Sequence, residues 1–184
     1  MLDKNEDKII ATIHKDITKN IPKSGANLAI LCGIPYSGKS TIANELSEHK
    51  FVHIWITVIK KLYNLDDEHA LKIATKLTEQ LLNENYRVTV DFLNHTDALR
   101  DNFSSVANKL GVPYKIIFVD TPLSVIYERK RISDNAKTKS IGRSSISVDV
   151  IDKIAEELSI PNSNETVKIY PNDRTRFDMY LTSL

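Results

Sequence analysis

Glycine is scarce: the 184 residues hold five, alongside six prolines. Both are thinly spread, so no long linker divides the chain, and no internal repeat or low-complexity tract is visible. Cysteine is scarcer still. Cys32 stands alone, which excludes an internal disulfide framework and a cysteine-rich zinc site. No run of about 18 apolar residues occurs, so no membrane-spanning helix is expected. Neither sign of charge dominates, with 25 basic against 24 acidic side chains and a net charge of +1. That balance argues against nucleic-acid binding through a strong overall field, while leaving room for a local basic face. The opening MLDKNEDKII mixes acids and lysines and lacks a secretory apolar segment, so the expected location is the cytoplasm. What is present is a substantial apolar fraction, 41%, enough for a real core. The length suits one domain spanning residues 1–184, with 1–26 as an N-terminal helical extension.

Apolar periodicity orders the chain. Ile9, Ile10, Ile13 and Ile17 recur at helical spacing within residues 4–19. NLAILC (27–32) is a short continuous apolar run of the kind a buried parallel strand shows. GIPYSGKST follows at once, and 41–48 reads as helix. FVHIWITVI (51–59) is rich in β-branched and aromatic residues and reads as a second strand, with its end open to a helical reading as well. A helix from Asp66 or Asp67 to about Asn83 carries Leu71, Ala74, Leu77 and Leu81 as its stripe. RVTVD (87–91) is a third strand, 96–110 a helix stopped by Gly111, and YKIIFVD (114–120) a fourth strand. Thr121-Pro122 fits an N-cap with proline at the first helical position, opening a helix to about Ile132. Residues 133–145 are polar and lysine-rich and read as a lid loop. Residues 147–158 form a further helix, and TVKIY (166–170) a fifth strand. Alternation of strands and helices implies right-handed crossovers and a parallel sheet covered on both faces. Ligands of such sheets bind beyond the carboxyl ends of the strands, where Gly33, Asp91 and Asp120 lie.

Two of the five glycines belong to one segment. Gly33-Ile34-Pro35-Tyr36-Ser37-Gly38-Lys39-Ser40 matches G-x-x-x-x-G-K-[ST] at every fixed position. Such a strand-to-helix loop turns successive backbone N–H groups toward a polyphosphate, and the helix beyond adds its positive dipole end. Gly33, Ile34, Pro35, Tyr36, Ser37, Gly38, Lys39, Ser40 and Thr41 are therefore the candidate ATP-binding residues. Lys39 is expected to neutralise the β- and γ-phosphates and the Ser40 hydroxyl to ligate Mg²⁺. A GTPase is not indicated: no glycine has an aspartate three residues before it, and Asn108-Lys109 runs on to Leu110-Gly111 at a helix end. The strand ending in Asp91 suits a carboxylate that holds Mg²⁺ or its water shell; taken alone it would also suit a strand-end turn residue.

The stretch VDFLNHTDALRDNFSSVANKLGVPYKIIFVDTPLSVIYERKR resembles the middle of AAA-type small ATP-dependent kinases of the polynucleotide kinase, zeta toxin and seryl-tRNA kinase group. In that group a strand ending in Asp is followed by Asn three residues later and Arg at the start of the next helix. Asp91, Asn94 and Arg100 stand at those places. A Pro-headed helix and an Arg-bearing lid come next, as Pro122, Arg129 and Arg131 do here, and ISVDVIDKIAEELSIPNSNETVKIY resembles the helix, loop and strand after the lid. The resemblance covers residues 27–170. It implies a P-loop NTPase fold, a three-layer α/β/α sandwich with a five-stranded parallel sheet and a basic lid. It implies further an ATP- and Mg²⁺-dependent kinase that phosphorylates a hydroxyl, with a nucleic-acid 5′ end or nucleotide favoured as acceptor. The catalytic candidates become Lys39, Asp91, Arg129, Arg131 and Arg143, with Ser40 and Asp91 at the metal. Arginines closing from a lid, which also holds Lys137 and Lys139, would stabilise charge on the transferring phosphoryl oxygens.

The chain departs from that pattern at one place. In the group the second strand ends in Asp, which accepts the acceptor's proton, with Arg three residues on. Here Ile56 or Thr57 and Ile59 or Lys60 occupy those positions, and no acid lies between His49 and Leu65. Either another carboxylate serves, with Asp66, Asp67 and Asp91 the candidates, or the chain binds ATP as a regulatory module with little transfer, or the strand register differs. The five histidines lack metal-ligand spacing and read as structural or exposed. Trp55 reads as core or acceptor-pocket lining, Tyr36 as facing the acceptor cleft or exposed, and Cys32 as a small buried apolar residue. The sequence does not indicate an oligomeric state.

Overall fold

A computed structural model describes residues 4–135, 146–170 and 173–184. Five strands make one sheet in the order β2-β3-β1-β4-β5, every neighbouring pair parallel. They are β1 (Asn27–Cys32), β2 (Phe51–Trp55), β3 (Arg87–Asp91), β4 (Tyr114–Val119) and β5 (Thr166–Ile169). The helices are α1 (Lys4–Ile17), α2 (Lys39–Glu48), α3 (Ile56–Leu62), α4 (Asp67–Asn83), α5 (Asp97–Leu110), α6 (Leu123–Asn135), α7 (Val148–Glu156) and α8 (Thr175–Thr182). This is the three-layer α/β/α P-loop fold expected from the sequence.

Strand alternation explains the layers. Leu28, Ile30 and Cys32 of β1 face one side with Val52, Ile54, Val88, Val90, Ile116 and Phe118, and α1, α4 and α5 cover them. Ala29 and Leu31 face the other side with Phe51, Ile117 and Val119, under α2 and α8. The central strand is therefore buried on both faces and apolar from Leu28 to Cys32. A smaller cluster joins Ile34 of the loop after β1 to Ile126 of α6 and Ile151 of α7. The chain leaves β1 toward β2 on one side and reaches β4 on the other. The carboxyl end of β1 is thus the point where strand order reverses, the place such sheets offer to a ligand.

Several boundaries differ from the sequence reading, each for a packing reason. The second strand stops at Trp55, opposite Asp91 at the end of β3. Ile56 and Ile59 then turn onto one face of α3 and join the main core, so helical spacing overrides the β preference of the ITVI run. Thr121 does not cap α6. Its hydroxyl donates to the Ser37 carbonyl at 2.9 Å, and the Pro122 carbonyl accepts from Val125 and Ile126, so Pro122 precedes the helix. Ser133 to Asn135 belong to the end of α6, not to a loop. The rest of the lid segment, with Lys137, Lys139 and Arg143, lies outside the described residues. Helix α8 was not expected; it closes the α2 side through Phe177 and Tyr180, both buried.

The N-terminal helix is part of the core: Ile9, Ile10 and Ile13 are buried with the residues of α4. Ile10→Ala and Ile13→Ala are each expected to lower unfolding free energy by about 2–4 kcal/mol in urea titrations followed by circular dichroism. Losses under about 0.5 kcal/mol, the size of an ordinary surface change, would show α1 to be a dispensable arm.

Candidate phosphate-binding and catalytic site

The loop between β1 and α2 is bound by its backbone angles. Gly33 has φ +146° and Gly38 φ +114°, values that L side chains rarely adopt. A Cβ on Gly33 would sit 2.9 Å from Ser37 Oγ and 3.0 Å from the Val119 carbonyl oxygen, leaving no room for one. Gly38 is the N-cap of α2, no side chain caps that helix, and its first turn carries no acid. The helix therefore presents uncapped N–H groups and the positive end of its dipole toward the loop. Ser37 Oγ is buried without a hydrogen-bond partner among the described residues. A glycine cradle, an uncapped helix start and an orphaned hydroxyl fit a polyphosphate anion.

Lys39 is buried at the centre of the loop and donates to the Gly33 carbonyl at 2.7 Å and the Ile34 carbonyl at 2.9 Å. Burial pushes its pKa below the ordinary lysine value, while the nearby Asp91 carboxylate acts in the opposite sense. Ser40 Oγ donates to Asp91 Oδ2 at 3.2 Å. Among the described residues no three His, Cys, Asp or Glu side chains gather. A serine hydroxyl beside one buried carboxylate is the hard-oxygen set that suits Mg²⁺, which takes one or two protein oxygens and completes its shell with phosphate and water.

The structure brings Arg129 to this loop. From α6 its Nη1 donates to the Ser37 carbonyl at 2.7 Å and the Tyr36 carbonyl at 3.1 Å, and it passes 3.4 Å from where a Gly38 Cβ would stand. Arg131 is placed differently, on the exposed face of α6 in an ion pair with Glu128. Arg143 lies outside the described residues. Ile34 is buried, Pro35 and Tyr36 half-buried, and Ser40 and Thr41 exposed. Tyr36 holds φ +64°.

The segment after β3 is pinned beneath the loop. Gly33 N–H donates to the Leu93 carbonyl at 3.3 Å, and Asn94 Nδ2 to the Leu31 carbonyl at 2.8 Å. Arg100, 2% exposed, donates to the Asn94 carbonyl and to the carbonyl and hydroxyl of Ser159, each at 2.9 Å, and pairs with Asp97. The family resemblance located Asn94 and Arg100; their contacts are to backbone and neighbours around the site. His53 was missed. Its Nε2 lies 3.4 Å from Asp91 Oδ2, and its ring stacks on Trp55 with centroids 5.8 Å apart and planes 9° off parallel. The available signal was strand alternation, which puts His53, Trp55 and Asp91 on the α2 side of adjacent strands.

No acid stands at the end of β2. Asp66 caps α4, accepting from the His69 N–H at 2.8 Å, and its carboxyl is held below the usual range by that bond and by the His69 ring. Asp67 pairs with Lys60 at 2.7 Å. Asp120, beyond β4, pairs with Lys168 at 3.0 Å.

Two substitutions check the loop by calorimetric titration of ATP. Lys39→Ala is expected to weaken binding roughly 10- to 100-fold, the range of about 1.5–3 kcal/mol for a charged hydrogen bond. Gly33→Ala is expected to abolish measurable binding, because its Cβ meets the Val119 backbone. Unchanged affinity in both variants would remove this loop from nucleotide binding.

A search of curated proteins finds no match to the sequence. Among solved structures, the chain is similar to Kti12 of Chaetomium thermophilum in complex with ADP-AlF3, at 14% identity and a TM-score of 0.70, covering 85% of this chain and 96% of that one. It is similar also to the Mycobacterium tuberculosis APS kinase CysC in complex with AMPPNP and APS, at 15% identity and a TM-score of 0.60, covering 87% and 99%. A gluconokinase from Sinorhizobium meliloti matches at 15% identity and a TM-score of 0.55, covering 89% and 100%. At these identities the likeness is one of fold. In sequence, the AAA_33 family, described as an AAA domain, matches residues 28–151, from the first strand through the phosphate loop and Asp91 to α7, and the chain belongs to that family.

Proposed function

We propose that the protein is an ATP-dependent kinase that transfers the γ-phosphoryl group to a hydroxyl, with a nucleic-acid 5′ end or a nucleotide-like molecule as the favoured acceptor. The observation that carries this reading is the assembly of Lys39, Ser40, Asp91 and Arg129 around one glycine cradle. Bound MgATP supplies the phosphoryl group and neutralises charge on its β- and γ-oxygens. The chain's own part is positional. The loop and the α2 N-terminus seat the phosphates, and Lys39 exchanges two carbonyl partners for phosphate oxygens. Ser40 and Asp91 hold the cation side. Arg129, already beside the Ser37 carbonyl, brings a guanidinium to the charge that grows during transfer. Asp91 is the carboxylate in contact with the loop's Ser40, and so the candidate to receive the acceptor's proton in place of the absent acid after β2.

The preference for a nucleic-acid or nucleotide acceptor rests on the resemblance of residues 27–170 to the polynucleotide kinase group. The fold leaves the acceptor open, since an APS kinase and a gluconokinase share it. One observation favours a second reading, a nucleotide-binding module with weak or no transfer: β2 ends at Trp55, and Asp66 and Asp67 are engaged at the start of α4. With a loose transition state, loss of a base costs a few powers of ten at most, so the kinase reading stands ahead.

The test is incubation with γ-labelled ATP and a panel of 5′-hydroxyl oligonucleotides, nucleosides and sugars. Labelled product from the wild-type chain is expected, with turnover reduced roughly 100-fold by Arg129→Ala, in line with loss of one charge-stabilising donor. Arg131→Ala is expected to remain within about 3-fold of wild type, as for an exposed ion-paired side chain. ATP binding with no labelled product across the panel would decide for the binding module.

A further inference from the structure

Asp91 receives two approaches on the same oxygen. Ser40 Oγ donates to Oδ2 at 3.2 Å, and His53 Nε2 lies 3.4 Å from that atom. His53 Nε2 is buried and has no hydrogen-bond partner among the described residues, and Asp91 is itself 4% exposed. A buried ring N–H needs an acceptor, and Oδ2 lies within bonding distance but out of line, so a turn of the ring would complete the bond. The ring is held for that movement. It lies flat against Trp55, whose Cα is in register with Asp91 on the adjacent strand. His53 itself is in register with Thr89, two residues before Asp91 on the same face of β3.

We propose that His53 is a positioning residue for Asp91: it donates Nε2–H to Oδ2 and fixes the carboxylate's rotation beside Ser40. Partners outside the coordination shell act this way when they orient a ligating carboxylate, and losing one costs 10- to 100-fold in metal affinity or activity as a rule. The contact ties the metal side of the site to β2, the strand whose end lacks the usual acid. Trp55 contributes the flat surface that keeps the imidazole from turning away. This inference rests on the kinase reading only in placing a divalent cation between Asp91 and Ser40.

The test follows cation binding, not turnover. Mn²⁺ uptake with ATP at the protein's own concentration is read from the free-ion signal in electron paramagnetic resonance against a protein-free control, because ATP itself binds Mn²⁺, and ATP binding in EDTA is read separately with a fluorescent analogue. Trp55 is the sole tryptophan, so its emission reports whether the stack survives in each variant. His53→Phe keeps a flat ring against Trp55 and removes the donor; His53→Gln keeps a donor without the ring. His53→Phe is expected to weaken Mn²⁺ binding about 10-fold with ATP binding in EDTA unchanged, and His53→Gln to stay within about 3-fold of wild type. Mn²⁺ affinity of His53→Phe within 2-fold of wild type, or equal losses in both variants, overturns the positioning role. Wild-type protein that takes up no Mn²⁺ with ATP overturns the site reading as well, a result distinct from either.

Discussion

A lysine ammonium placed out of water is the constraint around which this fold is arranged. Lys39 sits at the first turn of α2 and satisfies its charge on the carbonyls of Gly33 and Ile34. A desolvated ammonium demands such partners, and they are reachable only if the chain doubles back between β1 and α2. That doubling back requires left-handed angles at Gly33 and Gly38, where any Cβ is strained, and at Gly33 it would also meet Val119. The loop in turn requires firm walls. β4 provides one through Val119, and the other comes from Asp91 of β3 and from Leu93 and Asn94 just after it. The strand order, with β1 between β3 and β4, is what sets both walls beside one lysine.

How much of this was legible depends on the range of the interactions concerned. The strands β1, β3 and β4 are short buried runs whose bounds follow from apolar content and strand-end residues, and the phosphate loop is a local spacing. Both could be read because neighbouring residues determine them. The end of β2 could be placed only loosely, with strand and helix both open for the last residues of 51–59. FVHIWITVI is uniformly β-favouring, and only the register with β3 and the packing of Ile56 and Ile59 in the core show that the helix begins at Ile56. Thr121 misled for a related reason. The Thr-Pro pair is a sound local cap signal, yet the hydroxyl found the Ser37 carbonyl 84 residues away. Helix α8 is eight residues long with two buried side chains, Phe177 and Tyr180, too little periodicity to stand out.

The candidate site divides the same way. Lys39, Ser40 and the glycines are given by a motif that the geometry needs as a unit. Arg129 and Arg131 are equivalent in sequence, two residues apart on one helix. The helical turn between them separates their roles: one reaches the loop carbonyls, the other pairs with Glu128. His53 carries no motif at all. It becomes visible only once β2 is laid beside β3 in register, because its significance lies in a contact between strands and not in its neighbours along the chain.

The described arms on either side of residues 136–145 are anchored to opposite walls of the site. Before that segment, α6 is fastened to the phosphate loop by Arg129 on the Ser37 and Tyr36 carbonyls and by Ile126 against Ile34. After it, the chain just beyond α7 is fastened to the segment following β3. The Ser159 N–H donates to the His95 carbonyl, and Arg100 donates to Ser159 while also holding the Asn94 carbonyl. Asn94 reaches the Leu31 carbonyl of β1 in turn. Arg100 therefore links an arm of the segment to the strand end that bears Asp91. A buried guanidinium with several backbone acceptors is costly to leave incomplete, so the two arms and the Asp91 segment hold a common arrangement. Any displacement of the phosphate loop that moves the Ser37 carbonyl is then felt by α6 directly, and by α7 through Gly33, Leu93 and Asn94.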